Sequence, residues 1–280
     1  MTIEIAVRTG TAVVFAADSK VTTSGIEGIQ EDGSPLWLEQ TYDNATKVVH
    51  DRSRTLMAMA AGHANVGRLP ASDVIARMTL PRTGSNASQD TEISALVKRM
   101  VEMKSEYWKT TDIPADQWPG PTLLLAAPSP DGETPRVWQV KLAGAGSEMT
   151  EILTDPGLKV EGSYDEVFAL LYGIDSAVIR AIRQELGVSA EKFREALANA
   201  KVLRPIDKIN FWAMPTQEAV DLAVFLAGVQ CQMDRFLPGT PACGGPIDVM
   251  VLQMAPEPVI LPYPGKVLHH PHSSGVHLRP

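Results

Sequence analysis

Ile3, Ile5 and Val7 alternate with more polar positions, and after Thr9-Gly10 the apolar run Ala12–Ala17 follows. A period of two, a glycine turn and a second apolar run predict a β-hairpin. The polar, glycine-containing stretch 23–44 predicts a loop insertion. Segments 47–51 and 55–61 read as a second strand pair around Arg52-Ser53, and 70–80 and 90–109 carry helical spacing. Apolar strands are expected at 123–127 and 136–142, joined by a Pro/Gly/Asp turn. Helices are expected at about 164–186, 189–200 and 216–236, with a last strand at 247–254. Blocks of strands and blocks of helices follow one another without βαβ alternation, which favours an α+β fold with antiparallel sheets. The nearly all-round apolar run 220–229 predicts a core helix. From residue 256 onward the chain is rich in Pro, Gly, Ser and His, as expected of a loosely packed or disordered extension.

Composition narrows the class. The chain has 280 residues, 44% hydrophobic and 21% charged, with a net charge of −8. That is globular composition, and the acidic balance argues against a nucleic-acid surface, which needs clustered Lys and Arg. No apolar run approaches the ~18 residues of a membrane span, and the start lacks the basic and apolar regions of a signal peptide. Two cysteines, Cys231 and Cys243, are too few for a disulfide framework, so a reducing, cytoplasmic setting is expected. No membrane or nucleic-acid partner is expected.

The usual catalytic motifs are missing: no phosphate loop, no Gly-x-Ser-x-Gly elbow, no His-Glu-x-x-His and no Cys-x-x-Cys. Four of the six histidines (His269, His270, His272, His277) lie in the tail, where solvation is favoured over a metal site. Only His50 and His63 remain in the body, so any catalytic base is expected not to be histidine, and no metal or cofactor is expected. Thr2 offers another base. Removal of Met1 would leave its α-amine beside its own hydroxyl, and an α-amine titrates near ~8, so it can accept the hydroxyl proton. Such a site needs a cation, a carboxylate to hold that cation and a backbone N–H for an oxyanion. Asp18 at the end of the second strand, Lys47 opening the third and Gly62 ending the fourth supply candidates.

At these residues the chain resembles the proteasome β-subunits and their bacterial relatives, including the ancestral β-subunit group, which are N-terminal-nucleophile (Ntn) hydrolases. Thr-Ile-Glu-Ile-Ala-Val, then Gly, then Val-Val-Phe-Ala-Ala-Asp-Ser-Lys-Val-Thr resembles the family's opening hairpin, with the Thr2–Asp18 spacing kept. Asn-Ala-Thr-Lys-Val-Val resembles the segment of the active-site lysine, which falls on Lys47. Ala-Met-Ala-Ala-Gly-His-Ala resembles the strand end of the oxyanion glycine, Gly62. Glu-Gly-Ser-Tyr-Asp-Glu resembles the turn supporting the nucleophile, giving that role to Ser163, although Ser-x-x-Glu is also a helix capping box. Thr-Gln-Glu-Ala-Val-Asp-Leu-Ala-Val resembles the last core helix and assigns a second carboxylate to Asp234. Gly-Gly-Pro-Ile-Asp-Val-Met-Val-Leu resembles the penultimate strand.

The resemblance implies a four-layer αββα sandwich forming a single domain over 1–255, with 256–280 as an extension. It implies a threonine peptidase acting on peptide or unfolded protein, assembled as a ring or spiral of identical subunits, with an unfoldase partner left unspecified. Val21, Ala45, Val49 and Ala60 would line the first specificity pocket, and Thr22 would hold substrate backbone. The sequence departs from the pattern at Cys243, which stands for a serine, and at Tyr164, which stands for a glycine. Only Met1 precedes Thr2, so maturation would need an aminopeptidase. An inert ring subunit of the same fold and an Ntn amidase acting on a small molecule are the alternatives.

Overall fold

A computed structural model describes residues 2–29, 35–63, 65–79, 89–199 and 204–263. The strands are β1 (Ile3–Arg8), β2 (Ala12–Ala17), β3 (Val21–Ile29), β4 (Pro35–Tyr42), β5 (Val48–His50), β6 (Met57–Gly62), β7 (Asn65–Val66), β8 (Leu69–Pro70), β9 (Pro121–Pro128), β10 (Pro135–Lys141), β11 (Glu148–Ile152), β12 (Gly157–Gly162), β13 (Asp248–Gln253) and β14 (Val259–Pro262). The helices are α1 (Ala71–Ala76), α2 (Gln89–Trp108), α3 (Asp165–Tyr172), α4 (Ser176–Leu186), α5 (Ala190–Asn199) and α6 (Thr216–Asp234).

Two antiparallel five-stranded sheets carry the fold, in the orders β12-β1-β2-β13-β14 and β11-β10-β9-β6-β5. Strand alternation sorts their side chains into three apolar layers. From the first sheet, Ile3, Ile5, Val14 and Ala16 pack against Val167 of α3 and Ala219, Ala223 and Leu226 of α6. From the second, Ala58, Ala60, Leu123 and Leu125 pack against Ile75 of α1 and Ile93, Leu96 and Met100 of α2. Between the sheets, Val13, Phe15 and Ala17 meet Met57, Met59, Leu124 and Ala126. The order is helix, sheet, sheet, helix: the αββα sandwich. Sheets covered on both faces need nearly continuous apolar strands, and β2 (AVVFAA) and β9 (LLLAA within it) are written that way.

Several expectations change. The segment expected to be a loop insertion folds as the hairpin β3–β4, with Val21 opposite Tyr42 and Thr22 opposite Thr41. The start of the expected loose extension holds β14, which adds to the first sheet beside β13 with Ile260 opposite Leu252; the four tail histidines lie outside the described residues. The helix expected over 164–186 is two. Gly173 closes α3 at φ +75°, and the Asp175 carboxylate then accepts from the N–H groups of Ala177 and Val178 at 2.6 and 3.1 Å to start α4. On α6, burial follows one face through Ala219, Ala223, Leu226, Ala227 and Gln230, while Phe225 is 56% exposed. The run is amphipathic in place although its sequence is apolar nearly all round. Among the described residues no helix is long and apolar enough to cross a membrane.

Phe15 is fully buried where the two sheets meet. Phe15→Ala is expected to cost ~3–5 kcal/mol of stability, read as a lower midpoint in denaturant unfolding followed by circular dichroism.

Candidate active site

The end of β2 and the chain leading into β5 meet over the start of β1. Lys47 Nζ donates to Asp18 Oδ1 at 2.8 Å and to Thr2 Oγ1. All three side chains are withdrawn from solvent, at 6% exposure for Thr2, 0% for Asp18 and 7% for Lys47. A buried carboxylate is tolerated only when its lone pairs are filled, and Asp18 fills them. Besides Lys47, Oδ1 accepts the Ile3 N–H at 3.1 Å, and Oδ2 accepts the N–H groups of Lys20 and Gly244 at 3.1 and 3.0 Å. Lys47 is fixed at its backbone as well, its N–H donating to Asp248 Oδ2 at 3.1 Å. Two residues earlier, the Ala45 N–H donates to the Ser19 carbonyl at 3.0 Å, tying the lysine segment to the chain leaving β2.

Thr2 itself is held through its carbonyl, which accepts the Ser163 N–H at 2.7 Å. The contact requires a glycine just before it: Gly162 has φ +88°, and a Cβ there would stand 1.8 Å from the Thr2 carbonyl oxygen. Ser163 thus reaches Thr2 through its backbone, and the N-cap of α3 is Tyr164, without a side-chain cap. Gly62 ends β6 at φ +79°, opposite Pro121. Asp234 closes α6 and is buried; it accepts from Gln230 Nε2 at 2.9 Å and from the Cys243 N–H at 2.8 Å. Its bonds therefore position the Cys243-Gly244 segment, and Gly244 in turn holds Asp18.

Of the residues expected to face substrate, Val21 and Thr22 open β3 and are half-buried, as is Ala45. Val49 on β5 and Ala60 on β6 face the α1–α2 side of the second sheet. Cys243 is buried, and burial, reinforced by the Asp18 and Asp234 carboxylates, raises its thiol pKa; Cys231 is pushed up to about 12 for the same reasons. A buried thiol held high by neighbouring carboxylates is a poor nucleophile at neutral pH. His63, next to Gly62, is lowered by burial and by nearby Lys104. Among the described residues no cluster of His, Cys, Asp and Glu could hold a metal.

Sequence reasoning missed Gly162, Gly244, Asp248 and Gln230, all of which hold the cluster. The first three lie inside quoted motifs, Glu-Gly-Ser and Gly-Gly-Pro-Ile-Asp, so the motifs carried the signal even though a role was given to only one of their residues. Gln230 had no signal beyond lying four residues before Asp234 on a helix.

The αββα sandwich with a threonine at the head of its first strand is the Ntn-hydrolase fold. No family model matches the chain, and no curated protein matches it. Among solved structures the chain is similar to Anbu from Pseudomonas aeruginosa, described as a helical assembly, at 14% identity over 93% of this chain and 85% of that one, with a TM-score of 0.51. It is also similar to an Anbu mutant from Hyphomicrobium sp. strain MC1, at 14% identity over 90% and 82% of the two chains, with a TM-score of 0.48. The expected assignment to the proteasome β-subunits is thereby corrected. The likeness at a TM-score of 0.51 is to Anbu, no family model reaches the chain, and at 14% identity what is shared is the proteasome-like Ntn fold.

Gly162→Ala is expected to destabilise the protein by more than the ~1–3 kcal/mol of a strained backbone conformation, because the added carbon also displaces Thr2. Thermal unfolding of the variant beside the parent measures it, and the midpoint should fall by several degrees.

Proposed function

We propose that the chain is a threonine-type hydrolase that cleaves peptide bonds with Thr2 as nucleophile, after removal of Met1. The observation that carries the reading is the single ammonium of Lys47 donating to both Thr2 Oγ1 and the buried Asp18 carboxylate. A cation against the hydroxyl favours its alkoxide form, and Asp18 prevents that cation from being an uncompensated buried charge.

In this mechanism Thr2 Oγ attacks the scissile carbonyl and the freed Thr2 amine takes the proton, directly or through one water. The amine, with an ordinary pKa near ~8, is partly neutral at working pH. The Gly62 N–H stabilises the tetrahedral oxyanion, a contribution of ~3 kcal/mol for one donor. The protonated amine passes its proton to the leaving amine, and the same amine then activates water to cleave the acyl-enzyme. Ser163 and Asp234 act on the geometry of the nucleophile, Ser163 through its bond to the Thr2 carbonyl and Asp234 through the loop that supports Asp18. Val21 and Ala45 are the small apolar residues offered to a first pocket, suited to a hydrophobic residue before the cut, whereas Val49 and Ala60 lie on the α1–α2 side of the second sheet. Thr22 on β3 pairs with extended substrate backbone. The helical assembly of Anbu from Pseudomonas aeruginosa supports a homo-oligomer here, as ring or spiral; the two cysteines, too few for a disulfide framework, suit a cytoplasmic setting.

The test combines intact-mass measurement with Thr2→Ala. The purified protein should lack the mass of Met1 and hydrolyse peptide substrates, and the variant should lose activity by roughly 10³-fold or more. Retained Met1 or undiminished hydrolysis by Thr2→Ala overturns the reading. Lys47→Ala should lose activity comparably; a threonine-directed covalent inhibitor should add its mass to the parent and not to Thr2→Ala. Labelling with no peptide turnover, but turnover of small amides, would replace the peptidase by a small-molecule amidase.

A further inference from the structure

Four carboxyl groups lie in the neighbourhood of the cluster, those of Asp18, Asp248, Glu161 and Glu4, and they are not equally provided for; Asp248 accepts the Lys47 N–H at 3.1 Å. Asp18 has Lys47 and three backbone N–H groups. Glu161 on β12 has the Lys159 ammonium at 2.7 Å and the Gln139 side-chain amide of β10. Glu4 on β1 has no partner for either oxygen among the described residues, although it is 0% exposed. It sits directly opposite Glu161 on one side and Ala17, the residue before Asp18, on the other. Two residues along the chain from Thr2, it shares the inter-sheet side with the nucleophile's hydroxyl.

We infer that Glu4 is a positioning residue for the Thr2–Lys47–Asp18 cluster: a neutral carboxyl beneath the nucleophile whose ionisation turns Lys47 away from the Thr2 hydroxyl. The inference rests on the reading of Thr2 as nucleophile.

The electrostatics follow from what faces Glu4. From β1 itself come Thr2 and, two residues beyond Ala6, the Arg8 guanidinium, which is engaged by the Leu153 carbonyl. From the end of β2 comes Asp18, from β12 Glu161 with Lys159, and from the segment before β5 Lys47. The β6 and β9 strands offer Met57, Met59, Leu124 and Ala126, none of which titrates. Burial raises Glu4 well above the usual carboxylate range; Lys47 opposes this, and Glu161 and Asp18 add to it. While Glu4 keeps its proton, the Lys47 ammonium pairs with Asp18 and can also donate to Thr2, with Asp248 holding the lysine through its backbone N–H. When Glu4 releases that proton to solvent, a second carboxylate competes for Lys47, and its negative charge lies close behind the hydroxyl that must itself become anionic.

Glu4→Gln keeps the shape and fixes the neutral form. With lysine side chains isotopically labelled, the Lys47 Nζ signal should move across the pH range in which Glu4 ionises in the parent and stay in place there in the variant. The same pH response in both proteins overturns the inference. In turnover, the ratio of variant to parent kcat should rise with pH, with the alkaline limb displaced by ~1 pH unit or more and KM little changed. A constant ratio also overturns it. Stability gives a third readout. A folded carboxyl held above its unfolded value makes the parent lose stability as pH rises from about 4. The unfolding midpoint of Glu4→Gln should therefore match the parent in acid and exceed it increasingly toward neutral pH; equal midpoints throughout count against the inference. The Lys47 signal and the unfolding measurement need no turnover, so a chain without hydrolase activity overturns the functional reading while Glu4 is judged on its own evidence.

Discussion

Everything at this site depends on one buried ion pair, Lys47 with Asp18, placed where the two sheets meet at the head of β1. A buried pair contributes little by itself, since desolvation of the two charges consumes much of their attraction. Its consequence is geometric. To be tolerated, Asp18 must collect the N–H groups of Ile3, Lys20 and Gly244 as well as the ammonium. Those donors come from β1, the β2–β3 connection and the segment before β13, so satisfying one carboxylate fixes three stretches of chain that are far apart in sequence. Thr2 is the residue next to Ile3 and is fixed with them.

Support for this pair extends outward in a second ring of contacts. Asp234 accepts from Cys243, whose neighbour Gly244 donates to Asp18, and Asp248 accepts from the backbone of Lys47. Gly162 and Ser163, at the far edge of the same sheet, clamp the Thr2 carbonyl. Thr2 is thus positioned by its main chain from one side and by the lysine from the other. An apolar layer formed by Phe15, Met57, Met59 and Leu124 lies between the sheets. There the dielectric is low, and a single charge or proton has more effect than it would at a surface.

How much of this the sequence disclosed depended on burial. The strands β2, β6, β9, β10 and β13 were legible because two covered faces demand largely apolar runs, and β1 was legible from its alternation. The edge strands β11 and β12 were not, since Glu148, Glu151, Lys159 and Glu161 give them the polarity of loops. The hairpin β3–β4 was read as a loop because its opening is half-exposed and glycine-containing. The break between α3 and α4 was written in Gly173-Ile174-Asp175, a cap followed by a new start, but helical spacing on both sides obscured it. Thr2, Asp18 and Lys47, named from their motifs, are in contact in the fold; residues that act through backbone groups, such as Gly162 and Gly244, were named only as part of a motif.

Glu4 marks the limit of the pattern itself. Alternation in β1 reads as one apolar face and one polar face, and a polar face ordinarily means solvent. In a four-layer sandwich the second face of a central strand meets another sheet instead, so the polar positions of β1 are driven inside: Thr2, Glu4 and Arg8 are all buried. Thr2 meets Lys47, and Arg8 donates one N–H group to the Leu153 carbonyl while its Nε has no partner among the described residues. Burying the third without a partner has a free-energy cost that an apolar residue would avoid. A strand as short as β1, with Ile3, Ile5 and Val7 already securing its outer face, does not need a glutamate for folding. The reason for Glu4 therefore lies in what it does beside Thr2 and Lys47, two residues from the hydroxyl whose charge it would control.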